Sequence, residues 1–207
     1  MPLPSQTRSA LRLGFLASHG GSNMQAILDA CEDGRLTAES AVVISNNSGS
    51  NALVRARSAG VPAYHLSGKT HPGPDDLDTA ILDVLHRHEV NLVILAGYMR
   101  LLGPKTISVY QRRILNIHPA LLPNFGGKGL YGPAVHEAVL SAGDSATGVT
   151  IHVVDEDFDS GPILAQVTVP VKKDDTVDSL SARVLAQEHL LFVETLQRIE
   201  RGELELP

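Results

Sequence analysis

Two hydrophobic periods alternate along the first part of the chain. Residues 11–17 (LRLGFLA), 41–45 (AVVIS), 62–66 and 91–96 (NLVILA) are short apolar runs of strand length. Between them, residues 24–31, 51–59 and 75–88 carry apolar positions at helical spacing, with Leu77, Ile81, Leu82 and Leu85 on one face of the third. Gly34 and Gly60 stand where the first two helices should stop. Pro104 suits the first turn of a further helix reaching about Tyr110, and residues 113–117 read as a fifth strand. Strand and helix in alternation predict a parallel sheet built from right-handed βαβ units.

After this strand the pattern changes. Residues 124–132 (NFGGKGLYG) hold four glycines in nine positions and predict a mobile loop. A helix is expected over 133–142. Residues 147–154 alternate as a strand, 155–162 form an acidic turn, and 163–171 form a strand that can pair antiparallel with the first. The longest helix spans 176–201 and is capped by Asp175 or Thr176. The predicted fold is α/β: a single-domain, Rossmann-like, mixed but mostly parallel twisted sheet flanked by helices, with an antiparallel addition in the C-terminal half. The domain is expected over residues 11–207, behind a flexible extension at 1–10.

Composition narrows the function. A chain of 207 residues can bury a full core. The net charge of −6 argues against broad binding to nucleic acid or an anionic membrane. Cys31 is the single cysteine, so an internal disulfide is impossible and a reducing compartment fits. No apolar run is long enough to span a membrane, and the first ten residues lack the apolar segment of a signal peptide. These features predict a cytoplasmic protein; they do not fix its oligomeric state, and a monomer or homodimer is expected.

Three stretches carry candidate chemistry. Asn116 and His118 stand two apart at the end of a strand, so their side chains leave on one side, and Pro119 ends regular structure behind them. Asn and His⁺ can both donate to a developing oxyanion; a strand-end His can equally just bond a backbone carbonyl. The loop His19-Gly20-Gly21-Ser22-Asn23 lies between a strand and a helix, where backbone N–H groups favour one phosphate. It is neither a dinucleotide fingerprint nor a P-loop, and a tight βα turn with a Ser/Asn cap explains it equally well. In the acidic turn, Asp159 precedes Ser160-Gly161-Pro162 and can close over the strand ends to raise the pKa of His118 or take a proton. Asp155, Glu156 and Asp157 read as solvated. Thr150 and His152 share a face of the preceding strand, with His152 as a core or supporting group. Glu188 reads as a solvated helix position unless its helix crosses the mouth of the glycine loop. Nine histidines prompt a search for metal sites, but no paired cysteines and no His-Glu-x-x-His occur, so no metal is expected. No Gly-x-Ser-x-Gly elbow supports a serine hydrolase.

Gly21-Ser22-Asn23, Leu95-Ala96-Gly97-Tyr98-Met99-Arg100-Leu101-Leu102, Asn116-Ile117-His118-Pro119-Ala120-Leu121-Leu122-Pro123 and Asp159-Ser160-Gly161-Pro162 occur in that order. Together they closely resemble the formyltransferase superfamily, and within it the glycinamide ribonucleotide formyltransferases of purine biosynthesis. The resemblance runs from about Leu11 to the C-terminus. It implies transfer of a formyl group from 10-formyltetrahydrofolate, a co-substrate, to the amine of glycinamide ribonucleotide. Carried over, Asn116 and His118 stabilise the oxyanion, His118 is the general acid, and Asp159 keeps His118 protonated and helps deprotonate the amine. Gly21, Ser22 and Asn23 hold the substrate phosphate, and Glu188 binds its ribose or glycinamide side. Met99, Arg100, Leu101 and Leu102, with Asn116 and Val154, line the folate site.

Three alternatives share or mimic this core. A methionyl-tRNA formyltransferase calls for a further C-terminal domain and a basic surface. A formyltetrahydrofolate deformylase uses the same Asn, His and Asp on water and normally carries an N-terminal regulatory domain. A non-catalytic nucleotide- or folate-binding module does not require all three side chains.

Overall fold

In the computed structural model, residues 10–207 are described, so the expected extension at 1–10 lies, apart from Ala10, outside the described residues. Seven strands form one sheet: β1 Arg12–Ala17, β2 Glu39–Ser45, β3 Ala63–His65, β4 Leu92–Leu95, β5 Ile114–His118, β6 Ala146–Val153 and β7 Ile163–Pro170. The helices are α1 Ser22–Glu32, α2 Asn51–Ser58, α3 Pro74–Arg87, α4 Pro104–Val109, α5 Pro133–Ala142 and α6 Val177–Arg201. The spatial order is β3-β2-β1-β4-β5-β6-β7. Strands β1 to β5 pair in parallel, whereas β6 runs antiparallel to both β5 and β7. The strand order reverses between β1 and β4. In such sheets ligands bind in the crevice outside the carboxyl ends of the strands, at the point of reversal.

Side-chain alternation divides the interior into two layers. Leu13, Phe15 and Ala17 of β1, Leu92 and Ile94 of β4, and Val149, Ile151 and Val153 of β6 pack on one side with α1, α2, α5 and α6. Leu16, Val42, Ile44, Val93, Leu95 and Ile114 pack on the other side with α3 and the region of α4. Gly14 belongs to this second side: a Cβ there would lie 2.7–2.9 Å from Leu85 and Val90, so the missing side chain lets α3 and its exit sit close to the sheet.

The strand ends move slightly from the sequence expectation. Strand β5 starts and stops one residue later than 113–117, because the Arg113 N–H bonds Tyr110 O while His118 still pairs with Thr150 of β6. Helix α1 opens at Ser22, where Gly21 turns the chain with φ 66°. Of the two capping candidates for α6, Thr176 takes the role, in a reciprocal box with Ser179.

Helix α4, which leads into β5, is capped from outside. Its N-cap, Gly103, has no side chain to offer. The Asp78 carboxylate of α3 fills that place, accepting from Lys105 N at 2.7 Å, Thr106 N at 3.1 Å and Thr106 Oγ1 at 2.6 Å. Asp78 and Thr106 are both buried. Asp78→Ala leaves these donors unpaired and is expected to lower stability by about 1–3 kcal/mol, read as a fall in the thermal midpoint.

Candidate active site

Alternation decides what β5 shows to the site. Leu115 and Ile117 face the α1/α6 layer, so Asn116 and His118 face the other way. Across the antiparallel pair, Asn116 stands opposite His152 and His118 opposite Thr150, which puts four polar side chains on one patch of the sheet. Loops cover this patch. Thr150 Oγ1 donates to Ala120 O and accepts from Leu122 N, and Gln166 Nε2 donates to Thr150 Oγ1 and Leu122 O.

Asp159 arrives from the acidic turn and completes the cluster. Its carboxylate oxygens lie 3.5 Å from His118 Nδ1, 3.4 Å from His152 Nε2 and 3.4 Å from Asn116 Nδ2. The Gly127 N–H donates to it at 3.0 Å, so the glycine-rich loop closes on the same group. Two features seat this turn. Asp159 adopts φ 54°, a left-handed conformation that Asp tolerates better than most residues. Gly161 passes so near β6 that a Cβ would meet Val153 O at 1.9 Å. Asp155, Glu156 and Asp157 are exposed, as their composition suggests.

Hydrogen bonding fixes much of the protonation pattern. His118 Nε2 lies 2.8 Å from Phe125 O, and a carbonyl only accepts, so this nitrogen carries a hydrogen. By the same reasoning His152 donates from Nδ1 to Val153 O at 3.0 Å. Its Nε2 then accepts from Asn116 Nδ2 at 3.0 Å when the ring is neutral. His118 departs from the sequence expectation. Burial pushes its pKa below the ordinary imidazole value, and the Asp159 carboxylate and Phe125 carbonyl only partly offset this. The net direction is downward, although Asp159 itself favours the charged ring. Burial also works against ionised Asp159, but the close approach of His152, the Gly127 N–H bond and the nearby His118 imidazole outweigh it and keep the carboxyl below its usual range.

The glycine loop leads from β1 into α1. Gly21 is the N-cap, no side chain caps the helix, and the first intrahelical bond is Gln25 N–H to Gly21 O. The N–H groups ahead of it form the free end of the helix, the arrangement that suits an anion. At Gly21 a Cβ would meet Ala52 Cβ at 2.8 Å in an already left-handed backbone, so only glycine fits. The Asn23 side chain is used differently from expectation: it is buried and donates to Glu188 Oε2 at 2.6 Å. Helix α6 thus does lie against the glycine loop's helix, and Glu188 is buried beside it rather than solvated.

The 99–102 segment divides in two. Met99, Arg100 and Leu101 line a cavity of about 940 Å³, together with Ser18, His19, Asn46 and Tyr131. Lys69, His65 and His71 also reach it, and among the described residues no carboxylate lines it. Leu102 instead packs in the α3/α4 core, and Val154 packs against that core with its N–H on Ile114 O; neither lines the cavity. Asn116, His118 and Asp159 lie outside the cavity's lining. Among the described residues, no three His, Cys, Asp or Glu side chains are grouped as for a metal ion, and no helix is long and apolar enough to cross a membrane.

Residues 11–196 match the family model described as formyl transferase. The chain belongs to the formyl transferase family. Among its relatives, the chloroplastic phosphoribosylglycinamide formyltransferase of Arabidopsis thaliana is 42% identical over 91% of this chain and 65% of its own length. The phosphoribosylglycinamide formyltransferase of Haemophilus influenzae is 37% identical over 94% of this chain and 90% of its own. The crystal structure of glycinamide ribonucleotide transformylase 1 from Symbiobacterium toebii superposes with a TM-score of 0.90, at 40% identity, over 100% of this chain and 95% of that one. This chain therefore spans slightly less than two thirds of the plant relative and nearly all of the bacterial ones.

Some members of this cluster carry little signal in one dimension. The backbone groups Gly127 N–H and Phe125 O are invisible in residue types. His152 had a signal, its shared face with Thr150, but not the register that sets it against Asn116. Glu188 yields a test of the electrostatics. Burial raises its pKa, and the Asn23 hydrogen bond offsets only part of this. The native state then binds more protons than the unfolded state above the unfolded value of ~4.3, and stability falls as pH rises from there towards the folded pKa. Glu188→Gln removes the buried charge and keeps an acceptor for Asn23. Its thermal midpoint should exceed wild type at neutral pH, and the difference should vanish towards pH ~4.

Proposed function

We propose that this protein transfers a formyl group from 10-formyltetrahydrofolate to the amine of glycinamide ribonucleotide, a step of purine biosynthesis and one-carbon metabolism. The observation that carries the reading is the gathering of Asn116, His118 and Asp159 within 3.5 Å at the end of the sheet from which the glycine loop also emerges. The reacting partners fit the surroundings. The open α1 N-terminus at Gly21, Ser22 and Asn23 takes the phosphate of the ribonucleotide, and buried Glu188 faces its sugar side. The cavity edged by Met99, Arg100 and Leu101 takes the reduced folate, and its Lys69 and Arg100 complement a carboxylate-bearing tail. Lone Cys31 suits the reducing cytoplasm.

The amine nitrogen attacks the formyl carbon, and the carbonyl electron pair moves to oxygen. Asn116 offers that oxygen the N–H that here points at Asp159. The amine proton passes to the Asp159/His118 pair, directly or through water. His118 has an acceptor beside each ring nitrogen, so the cation formed when it takes the proton is satisfied on both sides. The C–N bond to folate N10 then breaks as His118 returns a proton to that nitrogen. The products are the formylated amine and tetrahydrofolate. Holding both reactants in one crevice supplies much of the acceleration, and no step calls for a metal.

Tetrahydrofolate release is measured with and without glycinamide ribonucleotide. Amine-dependent release supports transfer; equal release without the amine identifies a deformylase acting on water, and none in either case leaves a binding protein. His118→Ala and Asp159→Asn should each lower kcat by about 10²–10⁴-fold with KM changing far less. Near-wild-type turnover in either variant removes that residue from the mechanism.

A further inference from the structure

Ser18, at the exit of β1, touches everything that meets at the point of strand reversal. It is 1% exposed. Its N–H donates to Gly97 O at 3.0 Å. Its Oγ accepts from Met99 N at 2.8 Å and donates to Asn46 Oδ1 at 2.6 Å. The first two bonds clamp the 97–99 segment, the start of the donor-lining loop, onto the last residue before the glycine loop. The third fixes the hydroxyl rotor from the end of β2, because a hydroxyl has one hydrogen and Asn46 takes it. On the far side the glycine loop is pinned to α2: His19 O accepts from Ala52 N at 3.1 Å, and Gly20 O from Arg55 Nε at 3.0 Å. The segment between the two binding loops therefore has little slack.

We propose that Ser18 is a positioning residue that couples the two substrate sites, so that occupation of the glycine loop by a phosphate strengthens binding at the Met99 loop, and the reverse. This rests on the assignment of those loops to the ribonucleotide and the folate. A phosphate drawn onto the α1 N-terminus draws on the chain at Ser18, and Met99 N follows because its hydrogen bond ends on the Ser18 hydroxyl. Linkage makes the effect reciprocal: each ligand must improve the other's affinity by the same factor. Ser18→Ala removes the link, leaving Met99 N–H and Asn46 Oδ1 without their partner, while Asn116, His118 and Asp159 are untouched.

The test is calorimetric, with glycinamide ribonucleotide and tetrahydrofolate, a pair that does not react. The dissociation constant of each is measured alone and with the other saturating. Wild type should show a coupling factor of about three- to tenfold, the range of one hydrogen bond. Ser18→Ala should bring it to about one and raise KM for the formyl donor by a similar factor, with kcat nearly unchanged. Asn46→Ala, which frees the hydroxyl rotor but leaves the hydroxyl, should lower the factor part-way. Ser18→Thr, which restores the hydroxyl, should recover coupling. A purely structural role would instead lower the thermal midpoint and leave the coupling factor alone. Wild-type turnover with a coupling factor of one, or a Ser18→Ala protein with the wild-type factor, overturns the proposal. Absence of turnover in wild type overturns the assignment of substrates on which it rests.

Discussion

A carboxylate taken out of water has to be met by donors or cations, and Asp159 is where this protein meets that demand. The Gly127 N–H, Asn116 and two imidazoles converge on its two oxygens. These four partners come from three pieces of chain: the glycine-rich loop, β5 and β6. The carboxylate thus holds two loops closed over one patch of sheet. It is also the reason that two histidines and an amide can share a site with little water, since each has a partner whose charge or hydrogen bond offsets its burial.

The patch exists because of parity. On β5 and β6 one set of alternate residues, with Leu115, Ile117, Val149, Ile151 and Val153, lies under α5 and α6; the other set includes Asn116, His118, Thr150 and His152. The antiparallel register places these four opposite one another, and on this side they are roofed by loops. The parallel half of the sheet has helices on both faces and no such gap. The change from parallel to antiparallel pairing after β5 is thus a functional feature. Strand β6 ends with Val153 against Leu115, and the turn that follows folds back so that Asp159 reaches His118.

Burial competes with charge at two carboxyls and a histidine, and the outcomes differ for a visible reason. Asp159 has several donors and is drawn downward; Glu188 has Asn23 and is pushed upward; His118 has one carboxylate at 3.5 Å and one carbonyl, which offset only part of its burial. The number of partners each group finds, more than its own chemistry, decides the direction in which its pKa moves.

The order of strands and helices, the antiparallel pair after residue 146 and the polar face of β5 were legible in the chain, because hydrophobic period and Gly/Pro punctuation are local properties. Asn116 and His118 were readable as neighbours for the same reason: spacing of two on a strand fixes a common side. What only the tertiary structure decided was everything that depends on distance across the fold. Asp159 lies 41 positions beyond His118 in the sequence, and Glu188 lies 165 beyond Asn23, yet both pairs are in contact. The same packing put Leu102 in the core, set Val154 against it and moved the His118 pKa downward, because burial and register are set by the whole sheet and its loops rather than by any stretch of residues read alone.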